Sequence, residues 1–319
     1  MTSDAATAAG PEITVVVPCY RSVATLRPLV ERLLSSLARV GRRGEIILID
    51  DASPEPLTWQ TLVSLQREYP ASVRCFRLAR NVGQHNAIVC GFAQASPSVS
   101  MVVTMDDDLQ HRPEDVPALL RAIDDGADLA IGAYESKQHQ GWRNAGGRLV
   151  DRCLRTLFKL PPDFQLTSFR AIRRFAVEDA VENRSRYSYL TASLLAATRF
   201  RANVPVAHEP RAEGSSGYSL ATSIELAINL FLGYSRWPLY LVVAMFGLSL
   251  LATTAIMGWA LLRWLVADHP PEGWASTVLV LGITSTFNLA GLGVIALLST
   301  RTHRQLVGAS GGWRIAEEA

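Results

Sequence analysis

Residues Ser100 to His111 read SMVVTMDDDLQH, an apolar run that ends on three consecutive carboxylates. A short apolar, β-branched run closed by polar residues fits a buried strand. Upstream, ITVVVPCY (13–20), EIILIDDAS (45–53) and VRCFRLA (73–79) have the same character, and ADLAIGAY (127–134) follows. Helical patterns separate them. In SVATLRPLVERLLSSLARV (22–40), Leu26, Leu29, Val30, Leu33, Leu34 and Leu37 recur at helical spacing, with Ser22 placed to cap. TWQTLVSLQREY (58–69) and QHNAIVCGFAQA (84–95) read as helix. So does PEDVPALLRAIDDG (113–126), with Pro113 early and Gly126 past its end. Strands alternating with helices predict an α/β fold, a mainly parallel sheet with helices on both faces.

In such sheets ligands sit beyond the carboxyl ends of the strands. Asp50-Asp51 and Asp106-Asp107-Asp108 both belong to that edge. No G-x-G-x-x-G follows the first strand and no G-x-x-x-x-G-K-[ST] occurs, so the usual dinucleotide and P-loop readings lose their support. The acidic run lacks the glycine of a calcium loop. A solvated acidic turn remains one reading. The other is a Mg²⁺ or Mn²⁺ site, because Asp106 and Asp108, two residues apart, point the same way if the chain stays extended. Such cations keep few protein ligands and complete their shell with water and substrate phosphate.

The chain has 319 residues and a formal charge of +2, which argues against a nucleic-acid partner. Lys137 and Lys159 are its lysines; the other cations are arginine. Genome composition bias accounts for that, and arginine forks also suit phosphate. Cys19, Cys75, Cys90 and Cys153 form no zinc spacing and fit free thiols in a reducing cytosol. Residues 1–12 lack the cationic start and apolar core of a signal peptide and are expected to be disordered.

Two long uncharged runs, 237–262 and 276–300, are each long enough to cross a bilayer. Trp237, Trp259, Trp264 and Trp274 stand near their ends. Arg236, Arg301 and Arg304 flank the pair, whereas the linker carries Asp268 and Glu272, so the positive-inside rule puts both flanks in the cytoplasm. Residues 219–236 suit an interfacial helix, though a plain core helix fits the same spacing. The expected organisation is a disordered 1–12, a cytoplasmic domain over 13–218, a juxtamembrane helix over 219–236, two transmembrane helices within 237–300, and a cytoplasmic tail over 301–319.

VVVPCYRS, LIDDAS, ARNVGQHNAIVCGF, MDDDLQHRPEDVP, FQLTSFRAIRR and PRAEGSSGYS occur in this order ahead of the two apolar runs. In this the chain resembles family 2, GT-A-fold glycosyltransferases of the polyprenyl-phosphate type. That group includes dolichyl-phosphate mannose synthase and the bacterial undecaprenyl-phosphate glucosyl and 4-deoxy-4-formamido-arabinose transferases. The resemblance spans about residues 13–305, and the DxDLQ and RNxGQHxA stretches are its most specific parts. It implies that Pro18, Tyr20, Asp50 and Asp51 line a nucleoside pocket, that Arg80, Gly83 and Gln84 border the donor, and that Asp106, Asp108 and Gln110 serve a Mg²⁺ or Mn²⁺ ion and the diphosphate. Asp107 stands where alanine is common and is expected to shape the donor site.

The implied acceptor is a lipid phosphate, for which Arg143, Arg148, Arg211 and Ser216 are candidates. The segment 141–160 reads as a basic helix whose apolar face, Val150, Leu154, Leu157 and Phe158, lies on the membrane or packs on the domain. Two positions depart from the family pattern. Gly217 stands where lysine is usual. Gln165 stands where an acid is usual; either a local shift brings Asp163, two residues earlier, into the role of base, or the base is dispensable. The implied activity is inverting transfer of a sugar from a nucleotide-sugar, UDP-linked by default, to polyprenyl phosphate at the cytoplasmic membrane face, for modification of a cell-envelope glycan. A homo-oligomer and a downstream flippase are the expected partners. The alternative is a non-catalytic, membrane-anchored scaffold that keeps the fold.

Overall fold

The computed structural model describes residues 10–134, 145–182, 189–207, 234, 237–266, 273–309 and 313–319. They divide into a sheet domain and a unit of two long helices. In the domain, β1 (Ile13–Cys19), β2 (Gly44–Asp50), β3 (Val73–Leu78) and β4 (Met101–Thr104) alternate with α1 (Val23–Val40), α2 (Pro56–Glu68) and α3 (Gln84–Gln94). A 3₁₀ turn (Pro113–Asp115), α4 (Val116–Asp124), β5 (Leu129–Tyr134) and α5 (Ala145–Phe158) follow. Then come β6 (Arg170–Arg173), α6 (Arg174–Glu182), α7 (Leu190–Ala197) and β7 (Arg201–Val206). The second unit holds α8 (Trp237–Val266) and α9 (Trp274–Ala309), after which β8 (Ile315–Glu318) rejoins the sheet.

The strand order is β7-β5-β6-β4-β1-β2-β3-β8. β6 runs antiparallel to both neighbours and β8 antiparallel to β3; the other pairs are parallel. β1 is buried along its whole length because both faces are covered. Val15 and Val17 face α1, α2 and α4, while Val16 faces the cluster built with α3, α5, α6 and α7. Burying each large aliphatic side chain contributes about 1.5–3 kcal/mol, so β1 is the fixed centre from which the neighbouring strand ends are held. Gly91 lets α3 close on it, since a Cβ there would overlap Val16.

Pairing starts earlier than residue 13: the Glu12 N–H donates to the Arg43 carbonyl at 2.9 Å, and the Ser100 N–H to the Glu12 carbonyl at 3.0 Å. The apolar face of α5 also has a definite fate. Val150 and Leu154 are buried in the domain's own core, so that face is not free to lie on a membrane. The expected juxtamembrane helix falls, but for Tyr234, outside the described residues. Within α8 and α9, Ala244–Arg263 and Ser276–Ile295 are long and apolar enough to cross a membrane, and neither window is buried within the protein.

Candidate active site

β1 is flanked by β2 on one side and β4 on the other, so the chain winds away from it in both directions. A crevice opens at such a switch point, beyond the carboxyl ends of the strands. Here it is a pocket of about 320 Å³ lined by Pro18, Cys19 and Tyr20 after β1, Asp51 after β2, Asn81, Gly83 and Gln84 before α3, and Asp106, Asp107 and Asp108 after β4. The backbone is strained around it. Arg21, Ala52 and Leu109 have φ of 58°, 53° and 62°, and each directly follows a lining residue. Left-handed non-glycine residues cost free energy and concentrate at functional sites.

Each carboxylate has a different set of partners. Asp50 is fully buried. Its Oδ1 accepts from the Ser53 N–H at 2.9 Å, and its Oδ2 lies 3.3 Å from Arg77 Nε. Asp51 accepts from the Val82 and Gly83 N–H groups at 2.8 and 2.9 Å, which pins the turn entering α3. Gly83 sits at φ +82°, a conformation suited to glycine. Burial pushes the Asp51 carboxyl up to about 6, against the opposing pull of those two N–H groups. Asp107 accepts from the Tyr20 N–H at 3.0 Å and ties the end of β4 to the end of β1. Burial, with Asp106 and Asp108 adding repulsion, pushes it to about 6 as well.

Asp106 is held by side chains. The Gln84 amide donates to its Oδ1 and the Ser168 hydroxyl to its Oδ2, the latter at 2.7 Å. Its own N–H donates to Nδ1 of the buried His111 at 3.1 Å, and His111 stacks on Phe169 with ring centroids 5.0 Å apart. Asp108 accepts from the Gln110 N–H at 3.1 Å across the Leu109 turn.

Pro18, Tyr20, Asp51, Gly83, Gln84, Asp106, Asp107 and Asp108 thus meet in one pocket. Asp50 lies beneath it. Arg80 is exposed on the turn before α3 and is not among the lining residues. Gln110 takes part through its backbone N–H. Asp163 is exposed in the turn after α5 and outside the lining. That turn is gripped by Arg155, which donates to the carbonyls of Pro161, Pro162 and Phe164. Gln165 braces the backbone: its amide meets both the N–H and the carbonyl of Tyr134 at 3.1 Å. Arg143, Arg211 and Ser216, and the side chain of Arg148, lie outside the described residues. Sequence reasoning missed Cys19 and Asn81 in the lining, and Ser168 and His111 behind Asp106. All four belong to quoted motifs, Cys19 to VVVPCYRS, Asn81 to ARNVGQHNAIVCGF, His111 to MDDDLQH and Ser168 to FQLTSFR, and that membership is the signal that points to them.

Among the described residues no three His, Cys, Asp or Glu side chains converge as a metal cage. Asp106 and Asp108 do offer hard oxygen ligands at an open pocket. Two carboxylates whose shell is finished by water and a diphosphate match the habits of Mg²⁺ and Mn²⁺, so the donor set fits such an ion.

The glycosyl transferase family 2 model matches residues 14–180. An undecaprenyl-phosphate 4-deoxy-4-formamido-L-arabinose transferase of Enterobacter sp. (strain 638) is 28% identical over 290 residues, 90% of this chain and 86% of that one. The enzyme of the same name from Pseudomonas aeruginosa (strain LESB58) is 31% identical over 229 residues, 72% of this chain and 67% of that one. Among solved structures, that of a mycobacterial protein aligns with a TM-score of 0.50 at 20% identity, covering 70% of this chain and 75% of the other; the likeness is one of fold. With a family 2 domain over half its length and a carboxylate-lined crevice at the strand ends, the chain belongs to glycosyl transferase family 2 and is a glycosyltransferase.

Proposed function

We propose that the protein moves one sugar from a nucleotide-sugar, UDP-linked by default, to a polyprenyl phosphate, with inversion at the anomeric carbon. The carrying observation is the strand-end pocket in a chain that aligns with relatives named for undecaprenyl phosphate over most of their length. Tyr20, Asp51 and Asn81 suit a nucleoside, with Asp50 as their buried floor. Asp106 and Asp108 would hold a Mg²⁺ or Mn²⁺ ion, which when bound supplies positive charge to the leaving diphosphate. Gln84 and Ser168 orient Asp106, and the Gln110 N–H orients Asp108. The acceptor phosphate oxygen attacks the anomeric carbon, the bond to the diphosphate breaks, and configuration inverts in one displacement. A phosphate monoester has its second pKa near 6, so at neutral pH the nucleophile is already an anion. Positioning then contributes more than proton removal.

Chain connectivity supports a membrane hairpin. Sheet residues lie both before α8 and after α9, since β8 pairs with β3. A chain that starts and ends in one sheet crosses a bilayer an even number of times. Arg236, Arg301 and Arg304 flank the helix pair in sequence, against Asp268 and Glu272 between them, a pattern that by the positive-inside rule supports a cytoplasmic sheet domain. The deciding experiment incubates membranes containing the protein with radiolabelled nucleotide-sugars and polyprenyl phosphate. Labelled polyprenyl-phosphate sugar is the expected product. Hydrolysis of every donor without lipid labelling would overturn the acceptor assignment, and inert donors throughout would favour the scaffold reading.

A further inference from the structure

The residue pairing of four strands sets one cross-strand row: Cys19 beside Asp50, Asp50 beside Arg77, and Arg77 beside Glu317. It runs from the pocket wall to the outer edge of the sheet, and its last member comes from the strand that follows the membrane helices. Along the row the charges alternate. Arg77 Nε lies 3.3 Å from Asp50 Oδ2, and Arg77 Nη1 donates to Glu317 Oε1 at 3.0 Å. Asp50 is fully buried, and its Oδ2 makes no hydrogen bond among the described residues. A buried carboxylate without a partner is strongly unfavourable, and Arg77 is the cation set against Asp50 beneath the pocket. Arg77 is itself a surface-edge side chain, a quarter exposed. Its aim is fixed from the far side by Glu317. The strand carrying Glu317 is in turn secured by backbone bonds between Ala319 and Cys75 and between the Ala79 N–H and the Arg314 carbonyl.

We infer that Arg77 is a positioning residue for the donor and that the C-terminal strand, through Glu317, completes the donor pocket. The inference rests on the nucleotide-sugar reading of that pocket. Asp50 Oδ1 holds the Ser53 N–H, and Ser53 Oγ accepts from the Arg21 N–H at 3.1 Å, so a shift of Asp50 moves the loops after both β2 and β1. Those loops carry Asp51 and Tyr20 in the lining. The effect therefore falls on donor affinity, not on the carboxylates after β4.

The test uses the full-length, detergent-solubilised protein and its Glu317→Gln, Arg77→Lys and Glu318→Gln variants. Titration calorimetry with UDP, and with GDP, ADP, CDP and dTDP in parallel, reads donor-site binding. Glu318→Gln is the control, because it removes a charge from the same strand but from the residue facing Arg74 at 3.8 Å, opposite Phe76 in the pairing and not opposite Arg77. Arg77→Lys keeps the charge but loses the fork that reaches both carboxylates, and should raise the nucleotide Kd and the donor KM by about tenfold. Glu317→Gln should raise both by about threefold, Glu318→Gln should leave both unchanged, and kcat should stay within twofold throughout. Equal Kd values in all four proteins would overturn the inference. So would a parallel loss of kcat and melting temperature in the two β8 variants alike, the mark of a strand that only supports the fold. Wild-type protein that binds none of the five nucleotides would overturn the donor reading itself and the inference with it.

Discussion

The ends of β2 and β4 present carboxylates at the same topological edge, yet they are built differently. After β2, Asp50 and Asp51 are buried; backbone N–H groups occupy Asp50 Oδ1 and both oxygens of Asp51, and Asp50 Oδ2 faces Arg77. After β4, Asp106 and Asp108 are partly exposed, and Asp106 is held by the amide of Gln84 and the hydroxyl of Ser168. Backbone donors shape loops and are not easily exchanged. Side-chain donors can swing aside for a cation or a phosphate. Residue type and position are the same in both places; what differs is exposure and, at Asp106, who donates, while Asp108 accepts one backbone N–H, from Gln110, and stays accessible at the pocket. Asp107, between two accessible carboxylates and itself in the pocket wall, accepts the Tyr20 N–H, as the β2 pair accepts backbone donors.

The largest expected effect breaks this division at its exposed side. Asp108→Asn removes the charge, while its amide oxygen can still accept the Gln110 N–H and leave the turn intact. It should lower kcat by at least about 10³, on the scale of losing a principal charge-stabilising group, with an unchanged melting temperature. Excess chelator should do the same to wild type, and full activity in chelator would refute the metal assignment. Asp51→Asn belongs to the other side. An asparagine satisfies one of the two N–H groups and leaves the second short, so the turn before α3 loosens. The donor KM should rise by about tenfold with kcat within threefold. If Asp51→Asn proved as inactive as Asp108→Asn, the two strand ends would be doing one job and the comparison would fail.

A smaller effect sharpens it through pH. Burial raises the Asp51 carboxyl to about 6 in the folded protein, from an ordinary value of 3.8. Between those values the folded state binds more protons than the unfolded one, so stability falls as pH rises through that window and levels off above it. The contribution is fully present below about 4 and lost by about 6. In metal-free buffer, wild type should therefore lose a few degrees of melting temperature from pH 4 to 7 relative to Asp51→Asn. The diagnostic is the slope of the difference, not its offset. A difference that stayed flat across the window would place Asp51 in contact with water.

The parallel core was legible because its strands are apolar on both faces and its helices are amphipathic, so hydrophobic period alone separates them. The antiparallel strands were not. β6 reads RAIR and β8 reads IAEE, four residues each, with charges where a strand pattern calls for apolar side chains. Those charges are answered by distant residues, Glu317 by Arg77 across 240 positions of sequence, and no local window contains the partner. The site divides in the same way. Carboxylates at strand ends announce themselves, whereas Ser168 behind Asp106 depends on β6 folding back against β4. The apolar stripe of α5 marked a buried face correctly but did not say against what, since a membrane and a protein core demand the same pattern.

Asp163 gives the smallest expected effect and the cleanest limit on the comparison. It is a carboxylate with neither kind of setting, exposed and outside the pocket lining. Its neighbour two residues on, Gln165, is committed to Tyr134 and, through its backbone, to Asn203, which fixes the segment and opposes any local shift that would carry Asp163 inward. The acceptor phosphate supplies its own negative oxygen above pH 6. Asp163→Asn should then keep kcat within about threefold of wild type, with a mutant-to-wild-type ratio that stays level from pH 6 to 8, where a general base would contribute about 10²–10⁴. The ratio is the quantity to follow, because titration of the lipid phosphate and of Asp51 cancels from it. A hundredfold loss that grew toward pH 8 would restore Asp163 as the base and would mean that the 161–164 turn moves when the acceptor binds. Glu178→Gln, an exposed carboxylate on α6 paired with Arg174, sets the background expected of a surface charge alone.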